Sequence, residues 1–145
     1  MSKLESIVAL TIDQSFKLHR DWGPGLVESF YRSLLARSLT RCGLRVAQEV
    51  PITPEYEGEN FPNIFRADLI VEELLLVELK SVELLLTVHS KQVLTYLRVM
   101  RLPLGLLLNL GSGMFRDGVR RIVNPAADLS LVLDRKSGLP AQKLE

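Results

Sequence analysis

Two apolar runs, residues 64–71 and 74–80, follow one another with only Glu72-Glu73 between them, and this pair limits the chain's architecture more than any other feature. Each run is strand-length and rich in branched residues, so the two are expected to form a hairpin. Side chains two apart on a strand share a face. Arg66, Asp68 and Ile70 therefore fall on one side, with Phe65, Ala67, Leu69 and Val71 on the other. On the second run Leu74, Leu76, Glu78 and Lys80 align, backed by Leu75, Val77 and Leu79.

The hairpin register decides whether the charged residues meet, because a slip of one residue sends a whole set to the opposite face. A two-residue turn at Glu72-Glu73 sets Asp68 opposite Val77. An odd connection, such as a three-residue loop around Glu73, sets Asp68 opposite Glu78. The odd loop is preferred because it joins Phe65, Ala67, Leu69 and Val71 to Leu75, Val77 and Leu79 in one apolar face. The same register gathers Arg66, Asp68, Glu78 and Lys80. Two carboxylates so placed suit a hard divalent cation, since Mg²⁺ takes one or two such groups and completes its shell with water and phosphate. Lys80 adds a positive point charge beside them. The alternative is a cross-strand ion-pair cluster with no metal.

The rest of the chain supplies elements to flank this hairpin. Ser2 and Glu5 have capping-box spacing, and Leu4, Ile7, Val8, Ile12, Phe16 and His19 follow one helical face to about Asp21. Trp22-Gly23-Pro24-Gly25 breaks that helix, and a second runs to Cys42 with Gly43 as its stop. A strand follows through Leu44, Val46, Val50 and Ile52 toward Tyr56. Thr87 is the expected N-cap of a helix over 88–100, ended by Pro103. Residues 104–109 are apolar almost throughout, as in a strand covered on both faces. These elements give an α-α-β-β-β-α-β order, and a last short strand over 119–123 can follow it. The expectation is one α/β domain over residues 1–124, with a mixed sheet between helices and a loosely packed extension over 125–145.

Composition narrows the function classes. With 18 Lys plus Arg against 17 Asp plus Glu, no global positive field marks a nucleic-acid binder, so any such contact must be local. One cysteine, Cys42, and two histidines give neither an intramolecular disulfide nor a structural zinc pattern, which points to a reducing, cytoplasmic setting. The longest uncharged stretch, 102–115, is interrupted by Pro103, Gly105, Asn109, Gly111 and Gly113, so no membrane span is expected. The leucine-rich runs at 74–76 and 84–86 leave self-association into a homodimer open.

Asp68, followed ten residues on by Glu78-Leu79-Lys80, resembles the signature of the PD-(D/E)XK nuclease superfamily. Gly25-Leu-Val-Glu28-Ser-Phe-Tyr31 is similar to the motif that names the GxxExxY family, and Phe65-Arg66-Ala67-Asp68-Leu69, Gln92 with Tyr96, and Asp117-Gly118-Val119-Arg120-Arg121 follow in the matching order. Where the superfamily has a Pro-Asp pair, Asp68 here follows Ala67. The resemblance implies a restriction-endonuclease-like core and a Mg²⁺- or Mn²⁺-dependent nuclease acting on DNA, or else RNA. It implies Asp68 and Glu78 as metal ligands, with the Leu79 carbonyl and Glu28 as further ones, and Lys80 as the catalytic lysine. Gln92 joins the catalytic group, and Tyr96, one helical turn on, faces the same cleft. His89, Arg66 and Tyr31 are accessory candidates. Each has a plainer role open to it: His89 as a surface residue, Arg66 as an ion-pair partner of Asp68, Tyr31 as a core edge. The rival function is a non-catalytic module of the same fold that binds a nucleic acid or a protein.

Overall fold

A computed structural model describes residues 2–127. Helix α1, Lys3–Trp22, starts where Ser2 Oγ accepts the Glu5 amide at 3.1 Å. Its buried face runs through Leu4, Ile7, Val8, Thr11, Ser15, Leu18 and His19, which corrects the expected stripe. Phe16 is left 47% exposed. Thr11 and Ser15 enter the core because their hydroxyls donate to the carbonyls of Ile7 and Thr11, each at 2.7 Å, leaving no polar group unpaired. Gly23 closes the helix at φ 72, a left-handed conformation that glycine adopts without steric cost, and its amide donates to the His19 carbonyl. Helix α2 spans Glu28–Arg41.

Strand β1, Val46–Ile52, stops short of the expected Tyr56. A separate small hairpin follows it: β2, Glu55–Tyr56, and β3, Glu59–Asn60. The remaining elements are β4, Phe65–Val71; β5, Leu75–Lys80; α3, Thr87–Met100; β6, Leu104–Asn109; a 3₁₀ turn, Phe115–Gly118; and β7, Val119–Val123. The element order thus gains one hairpin over the sequence-based expectation. Thr87 is the first residue of α3 rather than its cap. Leu86 takes that place, and its amide donates to His89 Nδ1 at 3.1 Å. The extension expected over 125–145 lies outside the described residues from 128 onward.

The main sheet has the order β1-β4-β5-β6-β7, with β5 and β6 parallel and every other pair antiparallel. Helix α3 makes the crossover that a parallel pair requires. Helices α1 and α2 cover one face, packing Leu4, Ile7, Tyr31, Leu35 and Leu39 against Leu69, Val71, Val77 and Leu106. Helix α3 covers the other, with Val93, Tyr96 and Leu97 on Ile70, Leu76 and Leu107. Covered on both faces, β5 and β6 are buried from Leu75 through Leu79 and from Leu104 through Asn109. The result is a mixed α/β sheet flanked by three helices, consistent with a restriction-endonuclease-like fold.

The β4–β5 register pairs Leu69 with Val77, Ile70 with Leu76 and Val71 with Leu75, so the connection has three residues, 72–74. This is the odd loop, and its next rung brings Asp68 opposite Glu78. The single apolar face expected from that register does not form. Leu69 and Val71 pack toward α1 and α2, whereas Ala67 and Phe65 pack toward α3. The alternation therefore switches at Asp68. β1 switches at the same level: Val46 lies with the α1–α2 layer, Val50 and Ile52 with the α3 layer, and Glu49 between them adopts φ 48. Glu49 is the residue facing Asp68, between the pairs Gln48–Leu69 and Val50–Ala67. A paired twist in two neighbouring strands turns the Asp68 side chain sideways, toward β5.

Candidate active site

Past Leu69–Val77 the strands β4 and β5 separate, and their main-chain amides need other acceptors. The two acidic side chains provide them reciprocally. Glu78 Oε1 accepts the Asp68 amide at 2.9 Å, and Asp68 Oδ2 accepts the Leu79 amide at 2.8 Å. Each carboxylate is thus fixed to the opposite strand, which aligns both without a side-chain entropy cost at the moment of binding. One oxygen of each is engaged by an amide, leaving the second for other partners.

Glu78 is only 6% exposed, and its carboxyl is pushed up to about 8. Burial is the largest cause and the charge of Asp68 the next, while the Asp68 amide and Lys80 pull it partly back. Burial also raises the Tyr96 phenol, reinforced by the charges of Glu78 and Asp68, so its hydroxyl stays a donor at neutral pH. Two acids held side by side, one of them nearly out of water, form a site that gains from a cation.

The donors are oxygens, with no thiol or imidazole among them, which suits Mg²⁺ or Mn²⁺ rather than Zn²⁺. Among the described residues no three His, Cys, Asp or Glu side chains cluster as metal ligands. A cation here would have two carboxylates, with main-chain carbonyl and water oxygens to complete its shell, a complement that Mg²⁺ accepts. The fit is chemically sound.

The other sequence candidates fall at different distances from this pair. Glu28, the first residue of α2, accepts the Ser81 amide at 3.3 Å, just past Lys80, and borders an open depression of about 500 Å³ lined by Gly25, Leu26, Val27, Ser29 and Ser81. Leu79 is 1% exposed between the two acids. Lys80 is half-buried at the end of β5, level with Asn109 of the parallel neighbour β6. Gln92 is exposed, one turn before the buried Tyr96. His89 serves the start of α3 through its bond to Leu86. Tyr31 is fully buried and donates its hydroxyl to the Gly23 carbonyl, tying α2 to the end of α1. Arg66 is exposed opposite Pro51.

The cationic partner of Asp68 is Arg32, which the sequence reading missed. Arg32 Nη1 lies 3.6 Å from Asp68 Oδ1, and its Nη2 lies 3.5 Å from Glu49 Oε1. The available signal was its position four residues after Glu28, which puts both on one face of α2.

Behind Lys80 the chain is pinned from β6. Asn109 Oδ1 accepts the Val82 amide at 3.0 Å and its Nδ2 donates to the Val82 carbonyl at 2.8 Å, while the Leu110 amide donates to the Lys80 carbonyl at 2.9 Å. Gly111 passes so close that a Cβ there would sit 2.5 Å from the Val82 carbonyl oxygen and 2.6 Å from its nitrogen. Both contacts are with backbone, which cannot swing away. Gly111→Ala is expected to cost about 1–3 kcal/mol, read as a lower urea midpoint, and to displace the Ser81–Val82 segment. An unchanged midpoint would show that this segment yields freely.

Comparison with known proteins bears on this arrangement. No curated protein and no solved structure matches the chain significantly. Residues 5–122, which contain most of α1 through most of β7 and the Asp68–Glu78 pair, do match one family. The chain belongs to the PD-(D/E)XK nuclease superfamily.

Proposed function

We propose that the protein is a Mg²⁺- or Mn²⁺-dependent nuclease that hydrolyses phosphodiester bonds of DNA, with Asp68 and Glu78 as metal ligands and Lys80 as the catalytic lysine. The observation that carries this reading is the reciprocal bonding of the two carboxylates across β4 and β5, with Lys80 two residues beyond Glu78 on the same strand. Membership of the superfamily supports nuclease chemistry. Among the described residues no helix is long and apolar enough to cross a membrane. The narrower resemblance to the GxxExxY family, and a place in the reducing cytoplasm, belong to the same proposal.

A divalent cation bound there supplies an activated water and polarises a phosphoryl oxygen. The chain's own residues do the rest. Asp68 and Glu78 hold their oxygens in place through the amides of the opposite strands. Lys80 sets an ammonium beside the phosphate, where negative charge develops as the P–O bond breaks. Tyr96 keeps its hydroxyl proton, since burial and the charges of Glu78 and Asp68 raise its phenol. Glu28 orients the turn after Lys80 through the Ser81 amide. Gln92, exposed on α3, would meet the nucleic-acid backbone.

Purified protein incubated with end-labelled DNA and Mg²⁺ is expected to cut it, with cutting stopped by EDTA and absent in Asp68→Ala. Labelled RNA in a parallel reaction separates the two substrates. Salt-sensitive DNA binding without any cleavage would instead identify a non-catalytic binding module.

A further inference from the structure

Arg32 occupies a position that no part of the nuclease reading explains. It extends from α2 between two acids on adjacent strands, Asp68 on β4 and Glu49 on β1. Both contacts, at 3.6 and 3.5 Å, are longer than the 2.7–2.9 Å typical of a charge-assisted hydrogen bond. The guanidinium is shared between two carboxylates and locked to neither. The environments of its partners differ: the side chains of Arg32 and Asp68 are 18% and 19% exposed, that of Glu49 52%. The Asp68 contact is thus largely shielded from water, and the Glu49 contact is not.

The backbone explains why both acids are in reach. Glu49 faces Asp68 in the β1–β4 register, and both strands switch faces at this level. Glu49 does so in a left-handed conformation, φ 48, that ordinary residues adopt only when the surroundings hold them there. The strain sets a second acid beside the guanidinium, on the side away from Glu78.

We propose that Arg32 is an internal counter-ion that competes with the divalent cation for Asp68 and passes to Glu49 when the cation binds. The inference rests on the metal-site reading above. Without a metal, Arg32 balances the charge of the largely buried Asp68 carboxylate. With a metal, a doubly charged ion and a guanidinium contend for the same carboxylate, and Glu49 takes over the arginine. Arg32 therefore weakens cation binding and stabilises the empty site, two sides of one linkage. Metal affinity is set by a residue that is not a ligand.

The test is a calorimetric Mn²⁺ titration of the full chain as wild type, R32Q, R32K, E49Q and the double variant, with thermal melts in the presence and absence of Mn²⁺. R32Q is expected to bind Mn²⁺ about tenfold more tightly, because a positive charge next to the ion is removed. R32K keeps the charge and stays near wild type. E49Q removes the alternative partner and weakens binding about two- to threefold, and this effect shrinks in the R32Q background, as coupled residues require.

Melting separates this role from a purely structural one. A structural arginine would lower the melting temperature of R32Q equally with and without Mn²⁺, whereas competition requires saturating Mn²⁺ to recover most of the loss. Mn²⁺ binding by wild type that is equal or tighter than by R32Q overturns the proposal alone. Absence of Mn²⁺ binding in every variant overturns the metal site and the proposal together.

Discussion

Replacing Lys80 with Ala is expected to lower the rate of DNA cleavage at saturating Mg²⁺ by roughly a hundred- to ten-thousand-fold, the range for removing a group that acts on transition-state charge. The loss should fall on kcat with little change in KM, because an ammonium aimed at the phosphate contributes most when negative charge has built up there. Lys80 is half-buried at a strand end and its ammonium fills no core position, so the fold should survive the change. A urea midpoint close to wild type checks this. Lys80→Arg is a sharper variant, since guanidinium keeps the charge but is larger and planar, and it should recover only a small part of the rate. Cleavage that persists undiminished in Lys80→Ala would remove this residue from the mechanism.

The second large effect concerns stability, and its sign depends on pH. The Glu78 carboxyl is raised from 4.5 to about 8 by burial and by the charge of Asp68. A carboxyl with a higher pKa folded than unfolded binds its proton more tightly in the folded state, so stability falls as pH rises from the lower value to the higher. Below about 4 the group is protonated in both states and contributes no pH dependence. Above about 8 the full cost is present, on the order of 2–5 kcal/mol. Glu78→Gln removes the ionisation while keeping a side-chain oxygen for the Asp68 amide. The metal-free variant should therefore match wild type near pH 4 and exceed it by that amount at pH 9. Urea midpoints at the two pH values measure it. A variant less stable than wild type at pH 9 would show that the acid pair carries no such cost.

Such a cost is expected of a site held ready for a ligand, since function tolerates local strain that stability alone would remove. The same economy shows in how far the site was legible from sequence. The three-residue loop was preferred from sequence and is present, and the part of its argument that holds is the shared apolar face of Leu69 and Val71 with Leu75 and Val77, which sets Asp68 level with Glu78. The burial of β6 was legible too, because the nearly continuous apolar run at Leu104–Asn109 suits a strand covered on both faces.

What stayed hidden depends on contacts distant in sequence. Strict alternation predicted Ala67 and Leu69 on one face. The switch at Asp68 comes from a matching twist at Glu49, a residue whose left-handed conformation nothing local announces. Arg66 is the nearer arginine in sequence, yet Arg32 reaches Asp68 because α2 lies over the strand ends while Arg66 points to solvent. The apolar stripe expected for α1 left out Thr11 and Ser15, yet bonds back to their own helix let them pack inward, while Phe16 lies outward. In each case a tertiary constraint outweighed a local pattern.

Titrating Mn²⁺ into the metal-free protein by calorimetry, with Asp68→Asn and Glu78→Gln alongside, addresses the two-acid site most directly. Wild type should take up Mn²⁺ at one site and release about one proton per ion at pH 7, seen as a dependence on the buffer's ionisation enthalpy, because the raised Glu78 must deprotonate to ligate. Each variant should bind at least tenfold more weakly, and Glu78→Gln should release no proton. Wild-type affinity retained in both variants, or no uptake of Mn²⁺ by wild type, would contradict a metal centre between β4 and β5.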